Sequence, residues 1–286
     1  MASMRDIKRR KGSIQSTQQI TKAMKLVSTV KLQRAKQRAE ESKSYFDLMY
    51  ETVTSVLART TGLNHPYLQG GESGKKAVIA ITSNRGLAGG YNSNIVKLVR
   101  DGGFSADDTA IYAIGKKGRD ALARQGYQIA IDGSDVMEGP TYADAIAISK
   151  EVLQAFKDGE VGEIYLAYTR FKNTVVHEPR ILKLLPVEVP NVQGETQEAK
   201  AVMNFEPNDE EALNQIIPKY MTSLIYGGLI EAVASENGAR MQAMDSATNN
   251  AEEMINKLSL QYNRARQGAI TQELTEIIAG ANAIAQ

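Results

Sequence analysis

Cysteine is absent from all 286 residues. That excludes a disulfide framework, a thiolate metal site and a cysteine nucleophile at once. Long apolar runs are missing too: none approaches the ~18–20 residues that a membrane-spanning helix needs. The opening "MASMRDIKRRKGSIQSTQQ" is basic but has no apolar stretch behind it, so it does not read as a secretory signal. Net charge is scarce as well, at +1, and by itself selects no partner.

What charge there is lies unevenly. Residues 1–39 hold eleven Lys or Arg against a single acid, Asp6, whereas residues 208–286 hold five basic residues against ten acidic ones. Both ends also read as helix. From Ser3 to Arg59 there is one glycine, Gly12, and no proline, in a stretch crowded with Lys, Arg, Gln, Ala, Glu and Met. At ~1.5 Å per residue such a helix would be about 80 Å long. "TGLNHP" at 61–66 is expected to stop it. At the other end "FEPNDEEALNQ" signals a start: Asn208 suits a cap, and Asp209, Glu210 and Glu211 suit the positive end of the helix dipole. Pro218, Gly227, Gly228, Gly238, Gly268 and Gly280 are expected to bend the following helix without ending it.

The C-terminal helix carries a heptad stripe. Met241, Met244, Thr248, Ala251, Ile255, Leu258, Tyr262, Ala265 and Ala269 follow at alternating steps of three and four, the spacing of a coiled-coil seam. The N-terminal helix has a looser apolar stripe, Ile20, Ala23, Val27 and Val30, then Phe46, Met49, Val53 and Val56. Neither stripe is stable in water uncovered. Because folded sequence lies between the two helices, they are expected to cover one another antiparallel, with their opposite charges side by side. The second helix is the longer, and beyond the expected overlap its stripe changes register to Ile270, Leu274, Ile277, Ala281 and Ile284. An apolar tip of this kind anticipates a second protein around it.

Between the helices, strand and helix signals alternate. "KAVIAIT", "TAIYAIG", "YQIAID" and "EIYLAYT" read as buried strands, while "NSNIVKLVRD", "KKGRDALARQG" and "TYADAIAISKEVLQAFKDG" read as helices. This predicts a Rossmann-like α/β domain with a largely parallel sheet and an added edge strand in 175–189. Residues 191–201 read as a polar loop. The fold class is therefore α/β: a long antiparallel coiled coil of the two terminal helices plus this central domain. The expected divisions are 1–59, 60–207 and 208–286, the last packing with the first.

Chemistry is thin. "SNRGLAGGYNSN" at 83–94 sits between a strand and a helix, where many folds hold phosphate, but it lacks the lysine of a P-loop. Its 86–91 segment, G-L-A-G-G-Y, departs from the dinucleotide fingerprint at two of three glycines. A tight turn and close strand–helix packing explain its glycines. No nucleotide or other cofactor is expected there. His65 and His177 have no companion ligands, and "DGSDVMEGP" lacks the bidentate glutamate of a calcium loop, so no metal site is expected. No G-x-S-x-G and no distinct carboxylate pair is present, so no catalytic residue is expected. The basic helix, with Arg5, Lys8, Arg9, Lys11 and Lys22 among its cations, invites comparison with nucleic-acid binders. Its charges go all round the helix, however, and no aromatic residue interleaves before Tyr45.

Six segments taken in order resemble the gamma subunit of the F-type, proton-translocating ATP synthase of bacteria. They are "MASMRDIKRR" at 1–10, "QITKAMKLVS" at 19–28, the 83–94 loop, "SLIYGGLIEAVASENGARMQAM" at 223–244, "YNRARQGAITQE" at 262–273 and "ITQELTEIIAGANAI" at 270–284. The resemblance covers essentially the whole chain. It departs where the family often has Asp and Cys, at Asn84 and Ala88, and it includes no cysteine-bearing redox insertion.

The resemblance implies a non-catalytic central shaft on the cytoplasmic face of the cell membrane, held there peripherally. Its implied partners are the alpha and beta subunits of the catalytic hexamer, the epsilon subunit and the membrane c-subunit ring, with no nucleic acid and no directly bound nucleotide. Met24 and Lys25 are then expected beside acidic levers of the hexamer, and Arg264, Arg266 and Gln267 against one of its loops. Ile270, Glu273, Leu274, Ile277, Ile278 and Ala281 would form the upper axle. Phe205 and Glu206 would face the membrane ring or epsilon. Two rival readings remain: a small-molecule-binding α/β enzyme, which tight ATP binding by the chain alone would favour, and a nucleic-acid binder, which steep salt-dependent DNA binding would favour.

Overall fold

A computed structural model describes residues 4–59, 65–71, 73–187 and 209–284. The elements, in order, are α1 (Met4–Arg59), α2 (Pro66–Gln69), β1 (Lys76–Ile81), α3 (Tyr91–Asp101), β2 (Thr109–Ile114) and α4 (Lys116–Arg124). After them come β3 (Gln128–Asp132), a 3-10 turn at Ser134–Glu138, α5 (Tyr142–Lys157), β4 (Glu163–Phe171), β5 (His177–Leu185) and α6 (Asp209–Ile284). Pro218 lies inside α6 without ending it. The expected cap Asn208, the loop 191–201 and the segment with Phe205 and Glu206 lie outside the described residues. No described helix is long and apolar enough to cross a membrane.

Two compact units form, one from residues 29–240 and one from 1–28 with 241–286. The larger is a five-stranded sheet in the order β3-β2-β1-β4-β5. β1 pairs in parallel with β2 and β4, β2 pairs in parallel with β3, and β5 returns antiparallel to β4 as the edge strand. Alternate residues of β1 serve opposite faces, as a pleated strand requires. Val78 and Ala80 join Ile95, Val96, Val99 and Leu122 of α3 and α4 on one face. Ala77, Ile79 and Ile81 join α5 on the other, through Ile148, Val152, Leu153 and Phe156. Helices on both faces and a reversal of strand order at β1 make this a doubly wound sheet.

The second face is covered by more than α5. Leu213, Ile217, Met221, Ile225 and Leu229 of α6, with Val53 and Val56 of α1, belong to the same core. Residues 29–59 and 209–240 are thus packed as parts of the α/β unit. One expectation changes here: β3, read as a buried strand, is an edge strand with alternating exposed and half-buried residues. A strand paired on one side only cannot be covered as its inner neighbours are.

The smaller unit is a pair of antiparallel helical segments. Thr21 and Thr248 share a 2.8 Å hydroxyl–hydroxyl hydrogen bond, and the Lys25 ammonium donates to Asp245 at 2.6 Å. The partner numbers fall on one side as they rise on the other, which fixes the antiparallel sense. On α6 the expected stripe is the covered one: Met244, Ala251 and Leu258 are buried, and Thr248, Ile255, Tyr262 and Ala265 are half-buried.

On α1 the expected stripe is wrong for its first half. Ile20, Ala23 and Val27 are exposed in this unit, and Val30 is exposed in the larger one. The covered residues are Ile7, Thr21 and Ser28, with Lys11, Ile14, Gln18 and Lys25 half-buried between them. These also step by three and four, so they form a seam, but a largely polar one. Reading apolar residues alone selected the wrong face because the hydroxyls and the ammonium on the true seam find partners. The second half of the stripe fared better: in the larger unit Val53 and Val56 are buried, and Phe46 and Met49 are half-buried.

Candidate functional site

In a doubly wound sheet, ligands settle in the crevice at the carboxyl ends of the strands where the order reverses. Here that place lies beyond β1 and β4, and the glycine-rich loop 83–90 stands beside it. The N-terminal amides of α4 could serve an anion, but they are already bonded within the chain. The Lys116 amide donates to the Asn84 side chain, the Lys117 amide to the Ser83 carbonyl and the Gly118 amide to the Thr82 hydroxyl. Gly115, at φ 113°, takes a backbone form that favours glycine, and a Cβ there would strike the Thr82 carbonyl. The glycine permits close packing of the strand ends.

The crevice itself is crossed by α6. Gly228 packs on Ile81, Leu166 and Tyr168. The Tyr91 hydroxyl donates to the Ala232 carbonyl at 3.2 Å, and the Ser235 hydroxyl donates to the Thr169 carbonyl at 3.0 Å. One helical turn further on, Arg240 donates to the carbonyls of Arg85 and Gly86 at 3.3–3.4 Å. It also pairs with Glu236 at 2.8 Å, and both side chains are only 10–12% exposed. Burial raises the Glu236 carboxyl above its usual range, and the Arg240 charge opposes that rise.

The loop has its own bracing. The Ser83 hydroxyl donates to the Arg85 carbonyl at 2.6 Å, and the Asn92 carboxamide accepts from the Ser83 amide at 2.9 Å. At the tip stands Leu87, the one described non-glycine residue with positive φ, at 63°, and it is 62% exposed. A leucine is held in that region only where its surroundings over-determine it.

The two histidines have structural settings. His65 caps α2, accepting from the Tyr67 amide at 3.2 Å. His177 lies against Gly238 with a buried Nε2 that has no hydrogen-bond partner, and burial lowers its pKa. Glu231 accepts from the Phe171 amide, and burial raises its carboxyl. Among the described residues, no group of three or more His, Cys, Asp or Glu is placed to hold a metal ion.

The residues expected to meet partners fall into two separate groups on the smaller unit. Met24 and Lys25 are half-buried, and Lys25 is engaged with Asp245. Arg264, Arg266 and Gln267 are exposed, about 30 Å further along α6 at 1.5 Å per residue. Beyond them every described side chain from Ile270 to Asn282 is exposed, including Glu273, Leu274 and Ala281. Ile277 is 67% exposed and Ile278 60%. The paired residues sum to 269 and 270, which sets Met4, the first residue of α1, level with residues 265–266. No described residue of α1 therefore lies beside the last turns of α6.

Sequence reasoning missed Thr21 and Asp245 as seam partners, and Arg240 with Glu236 as a buried pair. A continuous heptad through 7, 11, 14, 18, 21, 25 and 28 was the available signal for the first set. The i, i+4 spacing of Glu236 and Arg240 was the signal for the second.

A sequence profile of the family described as ATP synthase matches residues 3–284. The chain is 66% identical to the ATP synthase gamma chain of Lachnoclostridium phytofermentans, over 99% of this chain and all of that one. It is 39% identical to the sodium-ion-specific ATP synthase gamma chain of Acetobacterium woodii, over 99% of each. Among solved structures, its fold resembles a chain in the Euglena gracilis mitochondrial ATP synthase assembly of OSCP, F1 and c-ring. That likeness has a TM-score of 0.72 and 19% identity, over 98% of this chain and 94% of that one. A chain of the rotor of the same enzyme gives a TM-score of 0.68 at 17% identity, over 93% and 98%.

Proposed function

The chain belongs to the ATP synthase gamma chain family, and from that premise we propose that it is the non-catalytic central shaft of a rotary ATP synthase. It carries rotation between a membrane ring of ion-carrying subunits and a hexamer of alpha and beta subunits, so that ion flow is coupled to ATP synthesis or hydrolysis. It works on the cytoplasmic face of the cell membrane as a peripheral subunit, beside epsilon.

The observation that carries this reading is the uncovered end of α6. An apolar face that includes Ile270, Leu274, Ile277 and Ile278 is exposed in the chain alone, past the first residue of its antiparallel partner. Such a face is costly in water and implies an enclosing protein. A sleeve of small apolar contacts suits a turning part, because it has no directional bonds to break at each step. Control of the catalytic sites then follows from linkage: an asymmetric shaft touches three equivalent sites differently at each angle, and only differential contact shifts their equilibria.

The roles proposed for single residues are those that the family resemblance implies. Ile270, Glu273, Leu274, Ile277, Ile278 and Ala281 turn inside the hexamer. Arg264, Arg266 and Gln267, exposed just before them, engage a loop of it by charge-assisted hydrogen bonds. Met24 and Lys25 meet acidic levers of the hexamer. Phe205 and Glu206 face the ring or epsilon.

The test is reconstitution of the purified chain with a nucleotide-hydrolysing hexamer. A one-to-six complex that loses affinity on Ile277→Asp is expected, since a charge would enter an apolar sleeve. Failure of the native chain to bind the hexamer would overturn the proposal.

A further inference from the structure

The contacts at the strand ends join parts of the chain to one another. Most of the hold on the 209–240 part of α6 is apolar packing through Leu213, Ile217, Met221, Ile225 and Leu229. Such packing resists separation well but is non-directional, so it opposes sliding and twisting only through shape. Directional contacts also occur along it, at Asn214 with His65, Ser223 with Tyr142 and Glu231 with the Phe171 amide, and several gather at the strand ends. Tyr91 holds the Ala232 carbonyl, Ser235 holds the Thr169 carbonyl, and Arg240 forks onto the Arg85 and Gly86 carbonyls.

Two observations bear on how firmly this place is held. Arg240 and Glu236 are nearly excluded from water, so a broken contact would leave a buried charge without its partner. Leu87, at the tip of the gripped loop, sits in the left-handed region, where a leucine stays only if the loop cannot relax.

We propose that loop 83–90 is a clamp on α6, and that Arg240 and Glu236 are positioning residues that make the helix and the α/β fold turn as one. The ligand crevice of a doubly wound sheet has become a grip for the chain's own helix. Glu236 orients the guanidinium, and the planar fork of Arg240 holds two successive carbonyls of the loop. A lysine would retain the pairing with Glu236 but offer a single point charge to the loop. Torque passing between helix and α/β fold is then borne by bonds with a direction, where apolar packing alone would creep. This inference rests on the shaft reading above.

The test uses the whole ATP synthase in sealed membrane vesicles, measuring ATP hydrolysis and ATP-driven cation uptake on the same preparation. The principal variant is Glu236→Met with Arg240→Met. It removes both charges together and so avoids an unpaired buried ion. Gly86 is exposed, so water can satisfy its carbonyl in the variant. Near-native assembly and hydrolysis are expected, with cation uptake per ATP reduced several-fold. Arg240→Lys is expected to fall between native and the double variant.

A second readout is amide hydrogen exchange of residues 83–90 in the complex. It is expected to speed up in the double variant while exchange in β1 and β4 is unchanged. Uptake per ATP at the native level in the double variant would overturn the clamp, as would unchanged exchange in the loop. If the double variant does not assemble, exchange in the isolated chain decides by the same criterion. A native chain that fails to couple hydrolysis to uptake would instead refute the shaft reading, so the two failures are told apart.

Discussion

One helix, α6, has two unlike halves. Between Leu213 and Ala234 its side chains fill the core under the sheet, and five large ones are at most 1% exposed. Between Ile270 and Asn282 every described side chain is exposed, although Ile270, Leu274, Ile277 and Ile278 are as apolar as the buried Ile217, Ile225 and Leu229. Composition alone therefore does not decide burial; the presence of something to pack against does. The first half finds its cover within the chain. On the proposed function the second finds it in another molecule, and it tolerates exposure meanwhile because a helix satisfies its own backbone hydrogen bonds.

This contrast predicts very different costs for similar substitutions. The largest effect is expected at Ile225, which is fully buried. Ile225→Ala should destabilise the free chain by about 2–5 kcal/mol, by lost transfer energy and the cavity left behind. Chemical denaturation would measure it, and a loss below about 1 kcal/mol would show that this half of α6 is not core. Next is Gly238→Ala, whose Cβ would press on the His177 ring. A loss of roughly 1–3 kcal/mol is expected, and a neutral result would mean that the ring can step aside.

Across the polar seam the effects should be small. Lys25→Ala leaves Asp245 partly solvated, since both side chains are between a third and a half exposed, and should cost the free chain about 0.2–1 kcal/mol. Raising the salt concentration should shrink that difference further.

His177 adds a pH dependence. Burial holds its pKa below the ordinary 6.5, so the folded chain binds this proton less readily than the unfolded chain. Its contribution is fully present above that ordinary value and is lost as pH falls through and below it. His177→Leu should flatten that part of the acid-side decline in Tm. An unchanged slope would assign the decline to other groups.

The smallest effect on the free chain is expected at the tip. Ile277→Asp should change its stability by less than about 0.5 kcal/mol, because the side chain is already in water.

How far the sequence could be read follows the same physics. Alternating apolar runs with short polar links placed β1, β2, β4, α3, α4 and α5, because a doubly wound sheet needs apolar strands and amphipathic covers. The α6 seam was legible because its heptad is apolar. The α1 seam was not, since Thr21, Ser28 and Lys25 look like surface residues until Thr248 and Asp245 are seen beside them. The glycine-rich loop could be denied a P-loop role from its residues. That α6 fills the crevice beside it depends on long-range contacts such as Arg240 with Gly86, which no local pattern encodes. Residues 29–59 and 209–240 read as coiled-coil helix and pack within the larger compact unit, for the same reason.

The claim that matters most is that the exposed end of α6 is enclosed by a partner, and a single introduced thiol tests it. Because the chain has no cysteine of its own, Ile277→Cys gives one unambiguous labelling site on this subunit. A maleimide should modify it quickly in the free chain and very slowly after assembly with the hexamer. Equal rates in the two states would contradict the account.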